Sequence, residues 1–77
     1  MKNILTATEL LKLAFLNQQK WIEVTLLLNF NGKATHFITT KKNLIFDEGI
    51  DGELVKWKKE DFIEHYKNSQ WMIDQIV

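Results

Sequence analysis

The feature that most constrains the fold is an alternation of side-chain character that runs from Trp21 to Phe30. A period of two places neighbouring side chains on opposite faces of a β-strand, so this segment predicts a strand with one face in a core. The predicted core face consists of Ile22, Val24, Leu26, Leu28 and Phe30. The other face carries Trp21, Glu23 and Leu27, and a tryptophan on an exposed patch is a typical protein-binding anchor. These three residues are therefore the candidate partner-binding surface, unless the second helix or the last strand covers Trp21 and Leu27.

Asn31-Gly32 follows this strand and predicts a hairpin, because a type I′ turn needs positive φ at both central positions. The return strand is expected from Lys33 to about Lys42. A two-residue turn, which we expect here, places Phe37 in the core and Ile38 outside. A bulged three-residue loop exchanges the two side chains.

A second hairpin is predicted around Asp51-Gly52, between strands at Leu44-Ile45-Phe46 and Glu53 to Trp57. With a two-residue loop, Phe46 lies opposite Trp57 and Asp47 lies opposite Lys56. Both are favourable cross-strand pairs, and they support that register.

Helices are predicted on both sides of the two hairpins. Thr6-Ala7-Thr8-Glu9 has the form of a capping box, so the first helix should run from Ala7 to about Asn17. The spacing of Phe62, Ile63 and Tyr66 predicts a second helix from Lys59 to about Lys67. A final strand is expected from Trp71 to Val77. The prediction is one α+β domain spanning 1–77, in the order α-β-β-β-β-α-β, with the two helices packed on one face of a largely antiparallel sheet.

Composition narrows the location and the chemistry. The 77 residues include no cysteine, which excludes disulfides and thiolate metal ligation and favours the inside of a cell. Glu9 and Lys12 interrupt the apolar N-terminal stretch, and no apolar run approaches the roughly 20 residues that span a bilayer. The expectation is a cytoplasmic protein without a membrane segment.

The spacing of the titratable residues matches no catalytic or metal-binding motif, so the protein is not expected to be an enzyme. The acidic segment from Asp47 to Glu53 departs from the EF-hand spacing, because Gly49 and Lys58 occupy the third and twelfth positions. Asp61 and His65 share a helix face at a spacing of four and could form an acid-base pair. The sequence offers no nucleophile motif or phosphate loop for such a pair to activate, so no catalytic, metal-binding or cofactor-binding residue is predicted.

Lysines predict the alternative function, which is weak nucleic-acid binding. All ten basic residues are lysine, so the planar fork with which arginine reads guanine and phosphate is missing. The predicted patch combines lysines of the two hairpins with one histidine. It consists of Lys33, His36, Lys41, Lys42, Lys56 and Lys58.

The helix followed by an Asn-Gly hairpin, the segment Trp57-Lys58-Lys59-Glu60-Asp61-Phe62, and then Tyr66 and Trp71 resemble small proteins encoded by phages and prophages of bacteria with AT-rich genomes. That resemblance implies a protein that binds and blocks or redirects a host protein. The leading hypothesis is therefore a non-enzymatic protein-interaction module, such as a phage or mobile-element inhibitor or accessory protein. Self-association is a further alternative.

Overall fold

The computed structural model describes residues 4–28 and 32–77. The elements in these ranges are β1 (Ile4–Leu5), α1 (Ala7–Leu16), β2 (Ile22–Leu27), β3 (Lys33–Lys41), β4 (Leu44–Gly49), β5 (Leu54–Lys58), α2 (Lys59–His65) and β6 (Gln70–Ile76). The predicted class is confirmed, because the protein is an α+β fold with an antiparallel sheet and two helices. The predicted element order lacks β1, since two residues are too few to show a period.

The strands form one six-stranded sheet in the order β1-β6-β2-β3-β4-β5. Every neighbouring pair is antiparallel. β6, the last strand along the chain, lies between β1 and β2, so the two ends of the chain meet in the sheet. A bulge interrupts the pairing of β2 with β6 between Glu23 and Val24.

Both helices contact the same side of the sheet. The capping box at the start of α1 is confirmed, because Thr6 Oγ1 accepts from the Glu9 amide at 3.2 Å and the Glu9 carboxylate accepts from the Thr6 amide at 2.9 Å. Near the end of α1, the Thr40 hydroxyl donates to the Ala14 carbonyl at 2.9 Å. In α2, the ring of Phe62 stacks on that of Trp71 in β6, with 5.9 Å between centroids.

We call this side of the sheet the helix face, and it holds the core. Its buried apolar side chains come from both helices and from four strands: Ala7, Leu10, Leu11, Ala14, Ile22, Val24, Leu26, Ile38, Ile45, Phe62 and Trp71. The opposite side of the sheet is called the open face. No element of residues 4–28 and 32–77 forms a second layer over it.

The register of the first hairpin corrects the prediction. Ile22 pairs with Ile38 and Leu27 pairs with Lys33, and the Leu28 amide donates to the Gly32 carbonyl at 2.8 Å. Ile38 is therefore buried on the helix face and Phe37 lies on the open face, so the expected two-residue turn is wrong. Leu28 was predicted to lie in the core, but it is 49% exposed and follows the last residue of β2.

Asn29 and Phe30, which the prediction placed in that strand, and Asn31 of the predicted turn lie outside the described residues. The pairing of the flanking strands determines the register by itself. Because Leu28 bonds to Gly32, three residues connect the hydrogen-bonded pair where two had been expected. In an antiparallel pair such a change moves side chains of the return strand to the other face.

The second hairpin is shifted by one residue from the prediction. Phe46 pairs with Lys56, and Asp47 pairs with Val55. The Gly49 amide donates to the Glu53 carbonyl at 3.0 Å and encloses a three-residue loop, in which Gly52 has φ of 85°. A type I turn followed by a residue of positive φ is the usual three-residue solution, and glycine adopts that φ without a steric penalty. The shift turns Asp47 inward and Phe46 outward.

Candidate functional site

The open face carries five apolar side chains that we call the apolar band, and one of them, Phe37, pairs with Glu23 and Glu48 on the two neighbouring strands. On this face Ile4 pairs with Met72, Met72 pairs with Thr25, and Phe37 lies on the neighbouring strand β3. The band consists of Ile4, Met72, Leu27, Phe37 and Leu54, one residue from each strand except β4. Ile4 is 50% exposed and Leu54 is 49% exposed, whereas the other three are half-buried. The band is therefore an apolar surface on a sheet face that no described element covers.

Acidic side chains beside the band are held by hydrogen bonds. The Thr25 hydroxyl donates to Asp74 Oδ2 at 2.7 Å, and Gln75 Nε2 donates to Glu23 Oε1 at 2.8 Å. Both bonds join β2 to β6 across the bulge. They orient the carboxylates on the sheet surface, so this edge of the band is preorganised and polar.

Two of the three predicted partner-binding residues lie in β2, and the third lies directly before it. Glu23 and Leu27 lie on the open face of β2, and both are half-buried. Trp21 immediately precedes β2, has the same parity as Glu23, and is 37% exposed. α2 packs on the helix face and β6 is a neighbour within the sheet, so neither covers Leu27 as one sequence alternative had supposed. Leu27 instead shares a shallow cavity with Leu28 and with side chains at the end of α2 and in the turn after it, namely Glu64, His65, Lys67, Asn68 and Ser69.

Four of the six residues in the predicted nucleic-acid patch meet at one end of the sheet. Lys41 and Lys58 both flank Leu44 in the ladder, and Lys42 lies in the turn between β3 and β4. Lys56 pairs with Phe46, and its Nζ lies 5.9 Å from the centre of that ring. Lys33, at the far end of β3, is on the same face but outside this group.

Two lysines that the sequence analysis did not include lie at the same end. The Gln19 amide donates to the Thr40 carbonyl at 3.0 Å, which brings the following Lys20 beside the end of β3. Lys59 begins α2, and its Nζ lies 5.7 Å from the centre of the Phe15 ring. We call this group the basic end: Lys20, Lys41, Lys42, Lys56, Lys58 and Lys59. Glu60 and Asp61, in the first turn of α2, are its nearest acidic neighbours along the chain.

His36 does not belong to the lysine patch, which corrects the prediction. Its pairing with Val24 places it on the helix face. There His36 Nδ1 donates to Asp47 Oδ1 at 2.6 Å, and Trp57 Nε1 donates to Asp47 Oδ2 at 3.3 Å. The Asp47 side chain is 4% exposed and that of His36 is 17% exposed. A buried carboxylate needs such donors, because desolvation without partners is costly.

Aromatic rings enclose the pair of His36 and Asp47. The Tyr66 and Trp71 rings both meet the His36 ring edge-on, at 6.4 and 5.4 Å between centroids. Burial of the phenol, and secondarily the charge of Asp47, raises the pKa of Tyr66 to about 12. The phenol is consequently protonated at neutral pH and can act as a donor but not as a base.

A cavity of about 230 Å³ opens beside this cluster, with Asp51 and Glu53 at its margin. Asp51 Oδ1 accepts from the Glu53 amide at 3.1 Å, as an Asx turn does. A histidine hydrogen-bonded to an aspartate is a general-base arrangement, but among the described lining residues there is no serine, threonine or cysteine for it to activate. The cluster satisfies a buried charge and joins β3 to β4, β5 and α2.

No partner for His36 was predicted, because local patterns did not give the pairing of β3 with β4 that brings Asp47 beside it. One signal was present in the sequence. Ile45 and Asp47 have the same parity in β4, so burial of Ile45 implies burial of the aspartate. The other candidate pair was Asp61 and His65. In the structure the His65 ring lies against the Trp57 ring, with 4.9 Å between centroids.

Among residues 4–28 and 32–77, no three His, Cys, Asp or Glu side chains are grouped as a metal site requires. Neither helix in the described ranges is long and apolar enough to cross a membrane. Comparisons of this chain with protein-family models, with curated proteins and with solved structures found no match.

Proposed function

We propose that this protein is a non-enzymatic interaction module that binds a protein partner through the apolar band of its open face. The observation that carries the proposal is that the sheet has large apolar side chains on both faces, whereas both helices lie on one. Exposed apolar surface costs free energy in water, and a partner that covers it recovers about 25 cal/mol per Å².

The chemistry of the partner follows from what surrounds the band. Lys33 lies beside Leu27 in the ladder, and Lys56 lies two residues from Leu54 on β5. The matching surface is an apolar patch with acidic residues opposite these lysines and hydrogen-bond donors or basic residues opposite Glu23 and Asp74, because charges at the rim of an interface select partners and accelerate association. A second copy of the chain is the other occupant that fits an exposed sheet face, and it would form an isologous dimer.

Site-specific photocrosslinking in the organism that encodes the protein tests the proposal. A photoreactive amino acid at Thr35 probes the open face, and the same probe at Leu16, which is 82% exposed on α1, serves as the control. We expect a discrete protein adduct from position 35, identified by mass spectrometry, and none of the same mass from position 16. Equal adducts from both positions, or none from position 35, would contradict the proposal.

The substitution Leu27→Ser distinguishes a structural from a binding effect. It should abolish the adduct from position 35 while the melting temperature stays within a few degrees, because Leu27 is only half-buried. Leu16→Ser removes an equivalent side chain from the helix side and should leave the adduct unchanged. Light scattering during size-exclusion chromatography identifies the alternative occupant, since an adduct accompanied by a dimer mass means self-association.

A further inference from the structure

We propose that the basic end is a second binding site, separate from the apolar band, and that its ligand is single-stranded nucleic acid bound without sequence preference. The site combines positive charges with a half-buried aromatic ring on one surface. Lys41, Lys56 and Lys58 surround Phe46 on the open face, and Lys42 and Lys20 extend the group around the end of the sheet. Single-stranded nucleic acid requires this combination, in which the backbone needs cations and unstacked bases need π-faces.

Charge complementarity selects the ligand. Six lysines lie at this end, while the neighbouring acids Glu60 and Asp61 occupy the first turn of α2, where they stabilise the helix dipole. The nearest acid on the open face is Glu48, two residues from Phe46 on β4, and its cross-strand neighbours are Phe37 and Leu54 rather than lysines. Lys41 and Lys58 lie on either side of β4, about two inter-strand spacings or roughly 10 Å apart, so they can contact different phosphates.

Phe46 distinguishes this site from a merely cationic surface. Its ring is half-buried on the open face, and the Lys56 ammonium lies 5.9 Å from its centre. The ammonium lies over one face of the ring, so a base that stacks there takes the place of Lys56 and brings its own phosphate within reach of the displaced lysine. Because all the cations are lysines, they supply charge without the bidentate geometry that reads base edges, and binding is indifferent to sequence.

Fluorescence anisotropy with labelled dT20 and rU20 tests the proposal over a series of salt concentrations. We expect dissociation constants on the order of 10⁻⁵ M, as for non-specific binding, with log K falling by about 0.7 per neutralised phosphate and per unit of log salt. Three or four contacts give a slope of about −2 to −3. The two oligomers distinguish DNA from RNA, and binding of either one supports the site.

Charge variants locate the site. Lys56→Gln/Lys58→Gln should weaken binding at least tenfold and reduce the magnitude of the salt slope by about 1.4. Lys33→Gln/Lys67→Gln removes the same net charge from positions outside the basic end and should change binding by less than about twofold. Leu27→Ser, which disrupts the apolar band, should leave oligonucleotide binding intact, so this site and the proposed protein interface can fail independently.

Ligand and ring variants test the role of stacking. Phe46→Leu keeps an apolar side chain and should weaken dT20 binding about tenfold, within the range for one stacked base. An abasic oligomer of equal length should bind more weakly than dT20 to the wild type and equally to Phe46→Leu. Equal binding of dT20, abasic oligomer and poly-glutamate, stronger binding of duplex DNA, or equal effects of the two lysine pairs would each overturn the proposal. Circular dichroism of every variant excludes misfolding as the cause of lost binding.

Discussion

The two faces of the sheet share the same six strands but differ in how their polar groups are satisfied. On the helix face, Asp47 is buried and receives hydrogen bonds from His36 and Trp57. On the open face, Asp74 and Glu23 are bound by neighbours within the sheet, and the lysines extend into solvent. The buried core is therefore concentrated on one face, and the side chains of the other face contribute less to it.

The comparison also separates two kinds of tryptophan. Trp71 has no exposed surface and contacts the rings of Phe62, Tyr66 and His36, whereas Trp21 is 37% exposed beside the open face. A side chain of the same size thus contributes packing in one position and accessible surface in the other. Substitution at matched positions measures this difference directly.

The largest expected effect is that of Trp71→Ala. It removes the largest fully buried side chain, and we expect a loss of about 3 to 5 kcal/mol in the free energy of unfolding, measured by urea denaturation. Trp71→Phe retains an aromatic ring and should lose distinctly less. A midpoint close to that of the wild type for Trp71→Ala would show that the helix face does not carry the stability.

Asp47→Ala should follow, with a loss of about 3 kcal/mol, because it leaves the donors of His36 and Trp57 without their buried acceptor. Glu48→Ala, at the next position on the open face, is the matched control and should cost less than about 0.5 kcal/mol. Both values come from chemical denaturation at pH 7. Similar losses for the two variants would contradict the contrast between the faces.

Alkaline pH tests the same cluster through Tyr66, the only tyrosine in the chain. Its pKa of about 12 lies above the value near 10 of an unfolded chain, so the folded state holds the phenolic proton more tightly. The resulting stabilisation is complete below about pH 10 and is lost as the pH rises through about 12. Absorbance at 295 nm follows the titration, and Asp47→Ala should move it towards 10. Titration near 10 in the folded wild type would contradict burial of the ring.

The smallest effect is expected from Trp21→Ala, which should cost less than about 1 kcal/mol, because its side chain is partly solvated and no described layer covers it. Thermal melting together with size-exclusion chromatography gives stability and association from one sample. A loss comparable with that of Trp71→Ala would place Trp21 in the core and remove it from the open-face surface.

Local patterns in the sequence predicted the elements well but not their registers. The capping box located the start of α1, and the alternation after Trp21 located β2. Both hairpin registers were wrong, because Asn-Gly and Asp-Gly fit two-residue turns as well as three-residue loops. The choice depends on burying Ile38 and Ile45 against the helices, which is a long-range packing term that no local window contains.

The sequence predicted those parts of the candidate binding surfaces that depend on local alternation, and it missed those that depend on pairing between distant strands. Glu23 and Leu27 share a face by alternation alone, and the structure places them as expected. The lysine patch required strand neighbours, so Lys41, Lys56 and Lys58 were grouped correctly, whereas His36 was assigned to the wrong face. Lys20 was missed because only the backbone bond between Gln19 and Thr40 brings it to that end.

By itself, the sequence determined the class of the fold, the two helices and the absence of cysteine and arginine chemistry, because composition, capping and periodicity are local properties. Tertiary structure alone decided that β6 pairs between β1 and β2, that Asp47 turns inward to His36, and that both helices of residues 4–28 and 32–77 pack on the same face of the sheet. These outcomes depend on which apolar surfaces meet. That choice is made by the free energy of burying the whole core, to which residues distant along the chain contribute together.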